Sequence, residues 1–228
     1  VEQGALELAC TNPRDFANNR WRKVDERPFG GGPGMVMQAE PLAQAIEHAK
    51  AKLGPATRVL MMSPQGERMD QRWFERLARE DGLVVLCGRY EGVDERLVAS
   101  AVDVELSLGD FVLSGGELAA MVLIDGVARL LPGVLGHAES AGQDSFSSSG
   151  LLDHPHYSRP EVWRDRAVPD VLMSGNHAAL ARWRLKQALG RTWLRRPDLL
   201  DKLKLDAEQQ TLLREFVAEQ SKQVDGSS

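Results

Sequence analysis

Cysteine is scarce in this chain, and long apolar runs are absent. Only Cys10 and Cys87 occur among 228 residues, far apart, and they offer neither a disulfide framework nor a paired metal motif. No run of about 18 apolar residues occurs, and the chain does not open with a charged and then apolar leader, so neither a transmembrane span nor a signal peptide is expected. We therefore expect a soluble cytoplasmic protein with no membrane partner, stabilised by apolar burial.

Positive charge is also in short supply, since 28 basic and 33 acidic residues give a net charge of -5. Taken alone, that value argues against a polyanionic partner. The charge is unevenly distributed, however: residues 79–125 carry 3 basic and 10 acidic side chains, whereas residues 154–204 carry 11 basic and 5 acidic ones. The second segment is therefore the candidate for contact with phosphates.

Residues 183–196 concentrate this positive charge in the stretch WRLKQALGRTWLRR. Cations can neutralise phosphates, and flat rings can stack on unpaired bases, so the composition is typical of a helix that contacts RNA. A solvated amphipathic helix whose tryptophans belong to the core would have the same composition. The pattern alone leaves both interpretations open.

Apolar runs alternate with helical patterns in the first half of the chain. The runs at 58–64 and 83–88 are typical of buried parallel strands, and the pattern at 70–81 predicts a crossover helix between them. Extended pieces are expected within 104–116. Further helices are predicted at 41–54, 93–101 and 117–131. This order predicts an α/β domain with a mainly parallel sheet.

The second half is different in character. Residues 136–150 are small and polar and are predicted to form a flexible interdomain linker. After them we expect helices at 177–189, a shorter basic one ending at 196, and an amphipathic one at 207–223. The predicted domains are therefore 1–135 and a small all-helical domain at 151–228.

Glycine-rich or polar clusters follow the predicted strands, where open α/β sheets bind ligands. They lie at residues 28–35, 63–66, 88–96 and 113–117. None has the lysine of a P-loop or the G-x-G-x-x-G of a dinucleotide fold, and the chain contains neither G-x-S-x-G nor H-E-x-x-H. Nucleotidase, dehydrogenase, hydrolase and zinc-enzyme functions are thereby disfavoured. What remains is a pocket of backbone groups suited to a ligand that carries a hydrogen-bonding base.

Three longer motifs narrow the interpretation: GRYEGVDER at 88–96, SLGDFVLSGGE at 107–117 and GRTWLRRPDLL at 190–200. Together with RPFGGGPGM and GLLDHPHYSRPEV, they resemble the TrmD family of bacterial tRNA (guanine-N1)-methyltransferases, which are trefoil-knotted SPOUT proteins. The resemblance covers nearly the whole chain. It implies a knotted, mainly parallel sheet with flanking helices, followed by a small helical domain that binds tRNA. The family usually opens with a strand that is missing here, so we expect the sheet to lack it.

The resemblance implies that the enzyme methylates N1 of guanosine at position 37 of tRNA, using S-adenosylmethionine bound between three loops. Glu91 would contact the methionine ammonium or position the sulfonium end. Apolar walls and close-lying backbone groups suit an adenine ring. The implied cofactor-binding residues are Ser63, Pro64, Gly88, Tyr90, Glu91, Gly92, Ser107, Leu108, Gly109, Phe111, Leu113, Gly115 and Gly116.

The family's base and its electrostatic partner correspond here to Asp144 and Arg129. The base would remove the N1 proton, and the arginine would stabilise charge on the guanine carbonyl oxygen. From composition alone, Asp144 could equally be a cap or a solvated loop acid, and Arg129 a surface residue. The implied substrate-binding residues are Gly34, Arg129, Asp144, Arg184, Arg191, Arg195 and Arg196.

The resemblance further implies a homodimer in which Asp144 reaches the partner's cofactor pocket. It also implies dependence on magnesium, which carboxylates such as Glu91 or Asp144 would attract, although no motif identifies a site. His154 and His156 lack a convincing zinc-ligand spacing, so no metal ligands are predicted. Two alternatives stay open: a related SPOUT methyltransferase that modifies another RNA atom, and a non-catalytic RNA-binding protein.

Overall fold

The computed structural model describes residues 4–134, 144–147 and 149–225. The chain divides into two compact units, Val1–Ala138 and Glu139–Ser228. Most of the predicted linker, residues 136–143 and Ser148, lies outside the described residues, whereas Asp144 and its neighbours belong to the second unit.

The first unit is built on a three-stranded parallel sheet with the strand order β4–β3–β5. Two shorter strands, β1 (Asp25–Glu26) and β2 (Val36–Met37), pair antiparallel beside it. The sheet consists of β3 (Arg58–Arg68), β4 (Leu83–Cys87) and β5 (Val104–Ser107). A 3-10 turn covers Pro13–Phe16, and the helices are α1 (Ala39–Leu53), α2 (Gln71–Leu77), α3 (Glu95–Ala101) and α4 (Glu117–Ala128). The predicted α/β fold with a parallel sheet is confirmed.

Alternating residues of β3 supply two apolar cores, one on each face of the sheet. Val59 and Met61 pack in one cluster with residues of α1 and α3, whereas Leu60 and Met62 pack in the other with residues of α2 and α4. This is the period of two expected of a strand that is buried on both faces. Fully burying one such side chain contributes about 1.5–3 kcal/mol, so the sheet is fixed firmly from both sides.

The central strand differs from its predicted form. It was expected to end near residue 64, but pairing with β5 breaks after Met62 and resumes at Glu67. The intervening residues bulge out. At Gly66 a Cβ atom would lie 2.4 Å from the carbonyl carbon of Glu105, so only glycine permits this close approach. Such non-local backbone contact has no local sequence signal, which explains the wrong prediction.

The second unit contains a short hairpin of β6 (Val162–Trp163) and β7 (Arg166–Ala167), followed by helices. Arg164 and Asp165 both have positive φ, as a two-residue type I′ turn requires. After a 3-10 turn at Asp170–Met173 come α5 (His177–Arg195), α6 (Pro197–Leu200) and α7 (Ala207–Asp225). Leu151, Leu189 and Leu212 form the buried core of this unit.

The predicted break of the basic helix at residue 189 is wrong, because α5 continues to Arg195. The misleading residue is Gly190. A Cβ atom there would lie 2.3 Å from the ring of Phe216 on α7. This glycine therefore allows two helices to approach closely and does not end one.

No helix in the described part of the chain is both long and apolar enough to cross a lipid bilayer.

Candidate active site

The three predicted cofactor loops leave the sheet at one edge. The strands are parallel, and Met62 of β3 pairs with Cys87 of β4 and with Leu106 of β5. The bulge of β3 that begins at Ser63 and the loops that follow Cys87 of β4 and Ser107 of β5 therefore start side by side. For β4 and β5 this is the carboxyl edge, where open α/β sheets bind ligands.

Gly116 packs the loop after β5 against the end of β4 and against Met62 of β3. Its N–H donates to the carbonyl oxygen of Gly88 at 2.9 Å. A Cβ atom on Gly116 would lie 2.9 Å from Cα of Cys87 and 3.2 Å from Cβ of Met62. Both distances are shorter than ordinary van der Waals contact, so the close packing of this loop requires glycine.

A second connection reinforces this junction. Arg89 and Gly115 form an antiparallel bridge, and Nε of Arg89 donates to Oε1 of Glu117 at 2.7 Å. The loop after β4 and the start of α4 are thus linked by both backbone and side chains.

The two loop serines are buried and bond to their own loops. The Ser107 hydroxyl accepts from the N–H of Gly109 and donates to its carbonyl oxygen, both at 3.1 Å. The Ser63 hydroxyl accepts from the N–H of Gln65 at 3.2 Å. Both side chains therefore shape the loops. Leu108 likewise packs against the sheet core, while Pro64 is exposed.

Apolar side chains of the same loops face solvent. Tyr90 is 56% exposed, Phe111 54% and Leu113 39%. Tyr90 has a φ of 62° and Gly92 one of 135°, so this loop turns sharply. The exposed rings and the leucine offer surfaces on which a flat heterocycle can pack.

The glycine-rich segment 28–35 contacts the loop after β4. The N–H of Glu91 donates to the carbonyl oxygen of Met35 at 2.9 Å. A Cβ atom at Gly34 would lie 2.3 Å from Oε1 of Glu91. The structure thus brings the predicted substrate residue Gly34 next to the predicted cofactor residue Glu91.

The two predicted catalytic residues lie in different units. Arg129 follows α4 in the first unit, and its N–H donates to the carbonyl oxygen of Asp125 at 3.1 Å. Asp144 begins a turn in the second unit, where the N–H of Ser147 donates to its carbonyl oxygen at 3.2 Å. Both side chains are half-buried.

Three of the predicted RNA-binding arginines share one face of α5. At about 100° per residue, Arg184, Arg191 and Arg195 fall within about 40° of one another around the helix. On the opposite face, Arg182 pairs with Glu215 and Lys186 with Glu219, both at 2.8 Å. The helix therefore has one face that binds α7 and one that carries arginines.

Arg196 differs from those three arginines. It caps the end of α5 and pairs with Asp198 at 2.7 Å. The Asp198 carboxylate raises the pKa of Arg196 and is itself held at a lowered pKa. The Arg196 guanidinium therefore already has a partner within the chain.

Sequence reasoning dismissed the histidines after the linker, but the structure groups them with an acid. Nδ1 of His154 and Nε2 of His156 lie 2.5 Å and 2.8 Å from the Asp153 carboxylate. Burial tends to raise the pKa of Asp153, but these hydrogen bonds and the His154 N–H lower it overall. The sequence signal for this group was the D-H-P-H motif at residues 153–156.

Among the described residues, Asp153, His154 and His156 form a group that could hold a cation, with ligand atoms within 4.8 Å of one another. Two nitrogens and one carboxylate do not match the oxygen shell that magnesium prefers. The implied magnesium therefore does not fit these residues.

A parallel sheet with three glycine-rich loops meeting at its carboxyl edge defines an α/β ligand-binding protein, here followed by a basic helical unit. The family described as tRNA (Guanine-1)-methyltransferase TrmD matches residues 1–202. The chain belongs to this family, and its fold is that of the SPOUT class.

Named relatives agree with this assignment. The tRNA (guanine-N(1)-)-methyltransferase of Nitrosococcus oceani is 63% identical over 219 residues, which cover 96% of this chain and 86% of that protein. Those of Sodalis glossinidius and Halorhodospira halophila are 58% and 60% identical over 219 residues, covering 96% of this chain and 87% and 83% of those proteins.

The cysteine at the end of β4 is suited to packing and not to nucleophilic chemistry. Burial raises the pKa of Cys87 to about 11, and the Glu117 carboxylate adds to the effect. At pH 8 only about one thiol in a thousand would be ionised.

We expect iodoacetamide at pH 8 to modify exposed Cys10 and to leave Cys87 largely unmodified until the protein is unfolded. The rate at Cys87 should rise about tenfold per pH unit up to its pKa, because the thiolate is the reacting form. Peptide mass spectrometry measures both sites, and Cys10→Ser isolates Cys87. Equal rates at pH 8 in the folded protein would contradict this.

Proposed function

We propose that this protein transfers a methyl group from S-adenosylmethionine to N1 of guanosine at position 37 of tRNA, in the cytoplasm. The observation that carries the proposal is the convergence of three loops at the sheet edge, fixed by the Gly116 contact, in a chain of this family. The relatives are named for methylation of guanine N1 in tRNA.

The methyl donor suits the loops physically. It carries a neutral adenine, whose edge backbone N–H and C=O groups can read at close range, and the exposed Leu113 and Pro64 offer apolar contact. A cation on the methionine end would be attracted by Glu91, whose carboxylate faces Gly34. A side chain at Gly116 would clash with the backbone of Cys87 and displace the loop, whereas one at Gly115 would displace the Arg89 and Glu117 side chains.

Guanine N1 carries a proton and is a poor nucleophile until that proton leaves. We assign its removal to the Asp144 carboxylate. Negative charge then spreads to the guanine carbonyl oxygen, where the Arg129 guanidinium stabilises it. S-adenosylmethionine supplies the methyl group: the new N1–C bond forms as the C–S bond breaks, and the electron pair stays on sulfur. The proton held by Asp144 is later released to water.

Methyl transfer to two tRNA transcripts that differ only by guanosine or adenosine at position 37 tests this proposal. Radiolabel should enter the guanosine transcript alone. Asp144→Asn should lower kcat about 10²–10⁴-fold, the usual range for a lost general base. Asp165→Asn, an exposed acid in the β6–β7 turn, should leave kcat unchanged.

Equal labelling of both transcripts would refute the proposed specificity for guanosine at position 37 and favour a related enzyme that modifies another atom. Full activity of Asp144→Asn would remove its role as the base. No labelling of any RNA by the wild-type protein would favour a non-catalytic RNA-binding protein.

We further propose that the arginine face of α5 binds the anticodon stem. Arg184 and Arg195 are exposed, Arg191 is half-buried, and their common face presents three cations from one side of the helix to an RNA backbone. Arg196 contributes less, since it must first leave Asp198.

Replacing Arg184, Arg191 and Arg195 by glutamine should weaken tRNA binding and reduce the slope of log K against log salt by about one per arginine. The control Arg182→Gln, which removes a cation paired with Glu215, should leave the slope unchanged. Filter binding over a salt series measures both. An unchanged slope in the triple variant would show that this face does not contact phosphates.

A homodimer with composite active sites is the third element of the proposal. Helix α4 exposes three apolar side chains next to Asp125 on its outer face: Leu118, Met121 and Val122 are 58%, 63% and 46% exposed. Neighbouring exposed apolar side chains mark a surface that binds another protein, and a second copy of this chain would cover them. The proposed partner contribution is Asp144.

Mixing two variants, each impaired in a different part of the site, tests the composite site at a methyl-donor concentration too low to saturate Gly116→Ala. Asp144→Asn chains keep the cofactor loops, and Gly116→Ala chains keep Asp144. If subunits exchange randomly, half the dimers are mixed and each has one complete site, so roughly a quarter of wild-type activity should return. No recovery, in a mixture whose subunit exchange is verified by mass spectrometry, would place each base in its own chain's site.

A further inference from the structure

Thr192 is a fully buried polar residue inside α5, between Arg191 and Trp193. Its hydroxyl donates to the carbonyl oxygen of Ala188 at 2.7 Å and accepts from the N–H of Leu152 at 2.9 Å. Valine has nearly the same shape but would leave the half-buried Leu152 N–H without its acceptor. The hydroxyl therefore bonds α5 to a segment outside the helix.

The segment that Thr192 holds is bonded in turn to the Asp144 turn. The N–H of Asp153 donates to the Ser145 hydroxyl at 2.9 Å. The N–H of Phe146 donates to the carbonyl oxygen of Leu151 at 2.8 Å. Two hydrogen bonds thus connect the residues after Asp144 to the residues that flank Leu152.

Apolar packing makes this connection stiff. Leu151 is 2% exposed and packs against Leu189 of α5 and Leu212 of α7. The Asp144 turn is therefore fixed to α5 at two points, the Leu151 side chain and the Thr192 hydroxyl. All of these residues belong to the second unit.

We propose that Thr192 is a positioning residue, which holds the Asp144 turn in register with the arginine face of the same helix. The inference rests on the proposed role of Asp144 as the base. Arg191 and Arg195 lie one residue before and three residues after Thr192. When α5 binds phosphates through these arginines, it thereby determines where the Asp144 carboxylate lies relative to the bound RNA.

The experiment compares Thr192→Val with Thr192→Ser, which keeps the hydroxyl. Thr211→Val is the matched control, because the exposed Thr211 hydroxyl also bonds the carbonyl four residues earlier, and its partners Ala207 and Arg214 belong to α7. The N–H groups of Leu152, Asp153 and Phe146 donate the three hydrogen bonds that hold the Asp144 turn to α5, which we call the tether. Hydrogen exchange at these three amides reports whether the tether is intact. The kcat and the KM values for tRNA and methyl donor report its consequence.

Thr192→Val should speed exchange at these amides and lower kcat about tenfold or more, as expected of a misplaced catalytic group. Both KM values should change less than about twofold, since phosphate and donor contacts persist. Thr192→Ser should restore wild-type exchange and kcat, and Thr211→Val should change neither. Should Thr192→Val fail to fold, Ser145→Ala removes one bond of the same tether outside the helix. It should likewise lower kcat and leave both KM values nearly unchanged.

Unchanged exchange in Thr192→Val would show that the tether is absent, and faster exchange with unchanged kcat would refute the positioning role. An equal loss of kcat in Thr211→Val would reduce the effect to general helix perturbation and overturn the inference. The base assignment fails separately: Asp144→Asn would then be fully active, whatever the exchange data show.

Discussion

The backbone contact between Gly116 and the end of β4 is the constraint on which the candidate site depends. It brings the loop after β5 against Gly88, Cys87 and Met62, closer than any side chain would allow. Because β3, β4 and β5 are parallel and Met62 pairs with both Cys87 and Leu106, the three segments that follow these residues are already neighbours. The Gly116 contact fixes the position of these loops, and with it the positions of their backbone donors and acceptors. Such an arrangement suits a ligand that is recognised by its heterocycle.

Charge is divided between the two units in a way that net charge conceals. The acidic segment 79–125 belongs to the sheet unit, and the basic segment 154–204 to the helical one. Even within the basic helix, Arg182 and Lys186 neutralise Glu215 and Glu219, whereas Arg184, Arg191 and Arg195 share the opposite face. The count of cations therefore overstates what is available to RNA, and their spacing around the helix identifies the useful ones.

Sequence periodicity was sufficient for the parallel sheet and its crossover helices, and it placed the predicted cofactor loops near the strand ends. It was wrong where contacts between distant residues decide the outcome, at Gly66 against Glu105 and at Gly190 against Phe216, and it gave no signal for the bond of Thr192 to Leu152. In each case a residue type that usually marks a turn or disfavours a helix is explained by a neighbour far away in sequence. The roles of Asp144 and Arg129 came from family resemblance, and the trefoil knot stays a prediction.

Calorimetric titration of S-adenosylmethionine tests the central claim, that the Gly116 junction forms the methyl-donor site. Wild-type protein should bind one equivalent per chain, and Gly116→Ala should bind at least about tenfold more weakly because the loop must shift. Gly126→Ala controls for a general loss of packing, because its added Cβ atom would lie 2.7 Å from the Phe74 ring. This variant should bind the methyl donor like wild type. Equal affinity in Gly116→Ala, or no saturable binding by the wild-type chain, would contradict the account.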